Sequence, residues 1–112
     1  MREQFEFYAA DELPWRPDPS APGVEQRILS RGDDGITLTR VARWRPGLDT
    51  SAAGAIRHEF HEEVYLLTGE LTDLTLGRTF GPGHYASRHP GMPHGPYRTT
   101  PGCTMLEIRT AQ

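Results

Sequence analysis

Twelve glycines and ten prolines are spread through 112 residues, and their placement limits the fold more than any other feature. An interior glycine costs a helix about 1 kcal/mol and a proline about 3 kcal/mol. Long helices are therefore excluded wherever these residues recur. They fall at RPG (45–47), TG (68–69), GPG (81–83), HPGMPHGP (89–96) and PG (101–102). Short segments between turns of this kind form all-β sandwiches and barrels. The length suits one domain with its own core, and not two.

Residues 1–23 read as an extended arm, with prolines from Pro14 to Pro22, a lone Trp15 and a short β-like stretch, FEFY (5–8). From residue 24 to 112 the chain reads as a single domain. VEQRILSR (24–31) suits a strand, and RGDDG (31–35) an acidic turn. ITLTRVARW (36–44) alternates: Ile36, Leu38, Arg40, Ala42 and Trp44 share one face, and Thr37, Thr39, Val41 and Arg43 the other. That period of two is strand evidence, with Arg40 placed among apolar neighbours. AIRH (55–58), EEVYLLTGELTDLTL (62–76), HYASRH (84–89), GPYRT (95–99) and CTMLEIR (103–109) are further β-compatible segments.

The charge balance removes several function classes. Net charge is −3, and the twelve basic residues, all arginines, are scattered along the chain. Neither a nucleic-acid footprint nor an anionic-membrane patch is present. No apolar run is long enough to span a bilayer. The first fifteen residues carry acids where a signal peptide needs an apolar stretch, and the one cysteine, Cys103, cannot form an intrachain disulfide. A cytoplasmic domain is the expectation, with Cys103 as a buried packing residue.

Chemistry concentrates in HEFHEEVYLLTGE (58–70). His58, His61, Glu62 and Tyr65 are spaced i, i+3, i+4 and i+7, so a helix would bring all four to one face. The zinc-protease motif HExxH needs histidines four apart; these are three apart, and no HExxH occurs in the chain. On strands parity governs instead. An extended chain on both sides of a tight corner turns His58 and Glu62 inward together and leaves the direction of His61 open. The threonines that follow and Gly69 favour strands.

The spacing resembles the cupin superfamily, whose first motif is G-x5-H-x-H-x3,4-E-x6-G and whose second is G-x5-P-x-G-x2-H-x3-N. Glu62 precedes Gly69 by seven residues, His58 precedes Glu62 with three between, and Gly91-Met-Pro-His94 matches G-x2-H, with Gly83 upstream. EEVYLLTGELTD, FGPGHYASRHPGMPHGP and PGCTMLEIR are similar to the small ChrR-like cupins, over about Trp15 to Arg109. The resemblance implies a cupin-type double-stranded β-helix (jelly-roll) barrel with an extended N-terminal arm. It also implies metal ligands at His58, Glu62 and His94. The chain departs from the motifs at Ile56, where the first histidine belongs, at His89, where the proline belongs, and in lacking the final asparagine. His61 is the candidate to replace the nitrogen missing at Ile56.

Two imidazoles and a carboxylate suit one divalent ion, Fe(II) or Zn(II) foremost, with Mn(II) or Ni(II) compatible. Open coordination positions point to a metal-dependent enzyme, dioxygenase-like, acting on a small organic molecule, with Tyr65, Tyr85, Tyr97 and Trp44 as candidate pocket walls. A non-catalytic sensor or binding module is the alternative from another class, and isomerase, cyclase or lyase chemistry a third, since a fold does not specify a reaction. His84, His89 and Glu63 read as solvent-facing. A homodimer is expected, with the arm and FEFY adding to a neighbour's sheet.

Overall fold

The computed structural model describes residues 1–111. Its strands are β1 (Arg16–Pro17), β2 (Val24–Arg31), β3 (Leu38–Trp44), β4 (His61–Gly69), β5 (Leu71–Asp73), β6 (Arg78–Phe80), β7 (Tyr85–Arg88), β8 (Tyr97–Arg98) and β9 (Cys103–Thr110). Helix is confined, among the described residues, to the 3-10 turns Ala10–Glu12 and Ser51–Ala53. The glycine and proline spacing thus has the expected consequence, an all-β jelly roll. Six strands form one sheet in the order β1-β2-β3-β9-β4-β7, and β6-β5-β8 form the second.

Alternation sets the faces. On β3, Leu38, Arg40 and Ala42 are buried; on β4, Glu62, Val64 and Leu66; on β9, Cys103, Met105 and Glu107. The apolar members pack with Leu71 and Tyr97 from the second sheet into the main core, and a smaller cluster of Val24, Ala42 and Leu48 lies beside it. Trp44 touches both, meeting Tyr97 edge to face at 6.0 Å between ring centroids. Gly69 closes β4 with φ +79°, and a Cβ there would lie 2.0 Å from the carbonyl oxygen of Gly102. Close backbone approach and a left-handed conformation together require glycine at the end of the E-x6-G spacing.

Two expected segments are not strands. FEFY pairs with nothing as a ladder; Phe5, Phe7 and Tyr8 are exposed, and the arm is tied instead by Glu3 N–H to the Arg31 carbonyl (2.8 Å) and Tyr8 Oη to the Leu29 carbonyl (2.6 Å). β-propensity without a partner edge does not make a strand. AIRH forms a single bridge, Ile56 to His94, and His58 lies in irregular chain.

The arm is held further along by Trp15, whose ring lies between the Arg27 guanidinium at 4.1 Å and that of Arg43 at 4.2 Å. Arg27 Nε also donates to the Leu13 carbonyl at 2.7 Å. Two exposed cation–π contacts are worth about 1–2 kcal/mol together. Trp15→Ala should lower the urea midpoint by that amount and speed protease cleavage within residues 1–15. Unchanged cleavage would show that the stack does not hold the arm.

Candidate metal centre

The inward parity of β4 buries Glu62, opposite Arg88 on β7 and Arg109 on β9. Arg88 Nη1 donates to Glu62 Oε1 at 3.0 Å, while Arg109 Nε stands 3.5 Å from Oε2 without a hydrogen bond. Oε2 therefore keeps lone pairs for another partner.

The two histidines arrive on a clasp of irregular segments. Ile56 N–H donates to the His94 carbonyl (2.8 Å), His94 N–H to the Ile56 carbonyl (3.0 Å), and Gly91 N–H to the His58 carbonyl (2.8 Å). The clasp sets the His58 and His94 rings 4.9 Å apart, and one ligand atom from each of His58, Glu62 and His94 lies within 4.8 Å of the other two. Two nitrogens bound at about 2.1 Å to one ion are at most about 4.2 Å apart. A small side-chain rotation thus converts the trio into a coordinating set.

Electrostatics keep the imidazoles available as ligands. Burial holds His58 below its ordinary value, with Glu62 pulling up and Arg109, Arg88 and Arg40 pushing down. Burial and then Arg88 do the same to His94. Both lone pairs are therefore free at neutral pH. His94 Nδ1 lies 3.4 Å from the Met92 carbonyl, a contact that favours Nδ1–H and leaves Nε2 as the donor to a cation. His58 is stacked on Phe60, with centroids 4.5 Å apart. A two-nitrogen, one-carboxylate set of this kind fits a divalent ion.

His61 does not join this group. β4 begins at His61, with no corner between it and Glu62, so parity turns it to the opposite face. There its Nε2 meets Ser87 Oγ at 3.2 Å and its ring lies 5.3 Å from that of His89. Ile56, where the motif has its first histidine, pairs with His94, and directly paired residues on antiparallel chains project to the same side. Ile56→His is expected to tighten divalent-metal binding at least about tenfold by adding a third nitrogen, read by isothermal titration with Ni(II). An unchanged affinity would place residue 56 outside the ligand shell.

Arginines surround the site, and sequence reading missed all of them except Arg40. Asp18, Arg40, Glu107, Arg109, Glu62 and Arg88 alternate in sign across the inner face of the large sheet. Arg40 Nη1 meets Asp18 Oδ2 at 2.7 Å, Arg40 Nη2 meets Glu107 Oε1 at 2.8 Å, and Arg109 Nη2 stands 3.8 Å from Glu107 Oε1. Arg88 Nη2 ends the row on Tyr97 Oη at 2.7 Å. The signal in the sequence is charge at inward parity, Glu62 before Val64 and Glu107 with Arg109 after Met105; its pairing needs the strand register.

His94 and Arg88 line a cavity of about 400 Å³ whose walls include Val64, Leu66, Leu71 and Met105. Tyr85 and Tyr97 line it as expected; Tyr65 is exposed elsewhere, and Trp44 packs behind Tyr97. His84 lies at its exposed rim, and Cys103 is a buried packing residue whose thiol burial pushes up to about 11. Among the described residues, no helix is long and apolar enough to cross a membrane.

A jelly roll with a largely apolar cavity, and beside it a cluster of two histidines and a glutamate that reaches the cavity through His94, defines a cupin. The chain belongs to the family of ChrR cupin-like domains, whose model matches residues 3–111. No curated protein matches it. Among solved structures it is similar to the polyketide cyclase RemF from Streptomyces resistomycificus (24% identity, covering 97% of this chain and 81% of that one, TM-score 0.71). It is similar to an acetylacetone dioxygenase from Acinetobacter johnsonii (14% identity, 96% and 73%, TM-score 0.68). It is also similar to the anti-sigma factor ChrR from Rhodobacter sphaeroides, solved in complex with SigE (23% identity, 89% of this chain and 51% of that one, TM-score 0.66).

Proposed function

We propose that this chain is a metal-dependent cupin enzyme, dioxygenase-like, that acts on a small organic molecule held in the cavity. The convergence of His58, Glu62 and His94, the last of which also lines an adjoining cavity, carries this reading. Its support from similar structures is the acetylacetone dioxygenase and the cyclase, both built on this fold. Fe(II) or Zn(II) heads the expected metals, because nitrogen and oxygen ligands suit both. A bound ion of this kind supplies Lewis acidity or a site for O2. The chain's own part is to hold that ion at one end and to keep water from the other with Leu66, Leu71 and Met105. Elemental analysis of the purified protein, then oxygen uptake after anaerobic Fe(II) loading against diketones and phenols, tests the reading. Metal in the protein without turnover of any compound would favour the binding-module alternative, which membership in the ChrR-like family supports. Turnover without oxygen uptake would favour isomerase, cyclase or lyase chemistry.

The same reading includes a homodimer. Its basis is the arm, free to add to a neighbour's sheet, with the exposed aromatic side chains of Phe5, Phe7 and Tyr8. Sedimentation at micromolar concentration should give twice the chain mass; a monomer would remove the idea.

A further inference from the structure

We propose that the cavity takes an anion with an apolar body, and that Arg88 is the residue that receives its charged oxygens. This deepens the proposed function by naming the ligand class of the same cavity, and the argument begins with Arg88 itself. Its side chain turns into the cavity from β7, and it is the arginine that lines the wall. A guanidinium has five N–H donors in a fixed fork. Arg88 spends one on Glu62 Oε1 and one on Tyr97 Oη. Its Nε donates to nothing among the described residues and is not among the buried atoms left without a partner, so this donor remains accessible. A carboxylate or enolate is the group such a fork recognises.

Charge balance leads to the same ligand. Asp18, Glu107 and Glu62 match Arg40, Arg109 and Arg88, so the row is neutral with every member ionised. A divalent cation on His58, Glu62 and His94 adds two positive charges beside Arg88, in a place where burial makes uncompensated charge expensive. An anionic ligand restores the balance. The acid on the wall, Asp73, forms no ion pair with Arg88; its Oδ1 accepts instead from the Thr75 and Leu76 N–H groups at 2.9 and 3.0 Å. Much of the remaining wall is apolar, through Val64, Leu66, Phe80 and Met105, and Leu76 and Met92 stay exposed at its rim. The arrangement is that of a site with one charged anchor and a greasy sleeve.

The test uses octanoate and its neutral isostere octanamide, titrated calorimetrically into the full chain both metal-stripped and Ni(II)-loaded, the loaded form being the one in which the charge balance calls for an anion. Octanoate should bind at least about tenfold more tightly, the step expected for a charge-assisted bond over a neutral one. Arg88→Gln should erase the preference, and Arg88→Lys, which keeps the charge but not the fork, should retain part of it. Should the glutamine variant fold poorly, the wild-type protein decides the matter: the Arg88 side-chain 15Nε resonance should move with octanoate and stay put with octanamide. Equal affinity for the two probes, a preference that survives Arg88→Gln, or an unmoved resonance would overturn the proposal. Metal affinity is measured separately with Ni(II) in the absence of probe. Its loss would sink the metal-centre reading and leave the anion result standing, and the reverse holds as well.

Discussion

Arg40→Ala is expected to lower folding stability by about 3–5 kcal/mol, the largest effect of any single substitution proposed for this chain. Arg40 sits mid-strand on the inner face of β3 and is 5% exposed, yet it answers two carboxylates, Asp18 from the arm and Glu107 from β9. It also donates to Gln26 Oε1 at 2.6 Å. Removing it leaves Asp18 buried without a counter-ion and Glu107 with only Arg109 at 3.8 Å, and that penalty far exceeds the loss of its packing. The comparison that isolates the charge is Arg40→Met. A methionine fills the stem's space, so a similar loss for both variants assigns the effect to the unpaired acids. Urea unfolding at unchanged slope gives the difference; a drop below about 1 kcal/mol would show that water or rearrangement satisfies Asp18 and Glu107.

The pH dependence of that loss has a definite sign. Burial alone would raise the Asp18 carboxyl, but hydrogen bonds from Arg40 and Ser20 hold it below its ordinary value. Its stabilising contribution is therefore present above the unfolded value and lost as pH falls through the folded one. Burial pushes Glu107 up, against the pull of Arg40. Its contribution runs the other way, full below the unfolded value and lost as pH rises through the folded one. Without Arg40 both carboxyls move up, and the folded variant takes up protons that the wild type refuses. The gap between variant and wild type should be widest at neutral pH and should narrow on acidification toward pH 4.

These residues also mark how far the sequence could be read. β2 lies where the turn residues put it, and β3 starts at Leu38 and not Ile36 because the Ile36 and Thr37 N–H groups are taken by Asp34 Oδ1 at 2.8 and 2.6 Å. Arg40 was visible as a charge on an apolar face. Its partners were not, since Asp18 lies 22 positions away and Glu107 67. Arg88 is set beside Glu62 by the β4–β7 register, a non-local property that local pattern does not contain. His61 turned on a single detail. Whether the corner fell before or after it decided its face, and β4 begins at His61 itself. The match of His58, Glu62 and His94 to a spaced motif was legible because the motif carries the long-range pairing implicitly. The bridge between Ile56 and His94, which pairs the departure from that motif with a surviving ligand candidate, needed the three-dimensional chain.

His94→Ala is expected to weaken divalent-metal binding about 100-fold or more, and His58→Ala by a similar factor. Loss of a residue that merely orients a ligand costs 10- to 100-fold, so loss of one of three ligands belongs at or beyond the upper end. Competition against a chelator of known affinity reads the change. Metal retained at wild-type affinity in both variants would remove the centre from this position. Proton competition adds a second observable. Both imidazoles are held below their ordinary value, His58 by burial, and His94 by burial and then Arg88. In the metal-free protein each therefore lowers stability as pH falls through the unfolded value near 6.5, because the unfolded chain takes up the proton first. Metal binding behaves differently, since the folded ligands stay neutral to lower pH than exposed histidines do. Wild-type affinity should accordingly hold nearly constant from pH 7.5 to 6.5 while a free histidine peptide loses affinity over the same range. Parallel loss in the two would mean that burial does not protect the site. Each alanine variant also removes an imidazole that burial, before any neighbouring arginine, holds below its ordinary value, so the metal-free variants should lose less stability on acidification than the wild type.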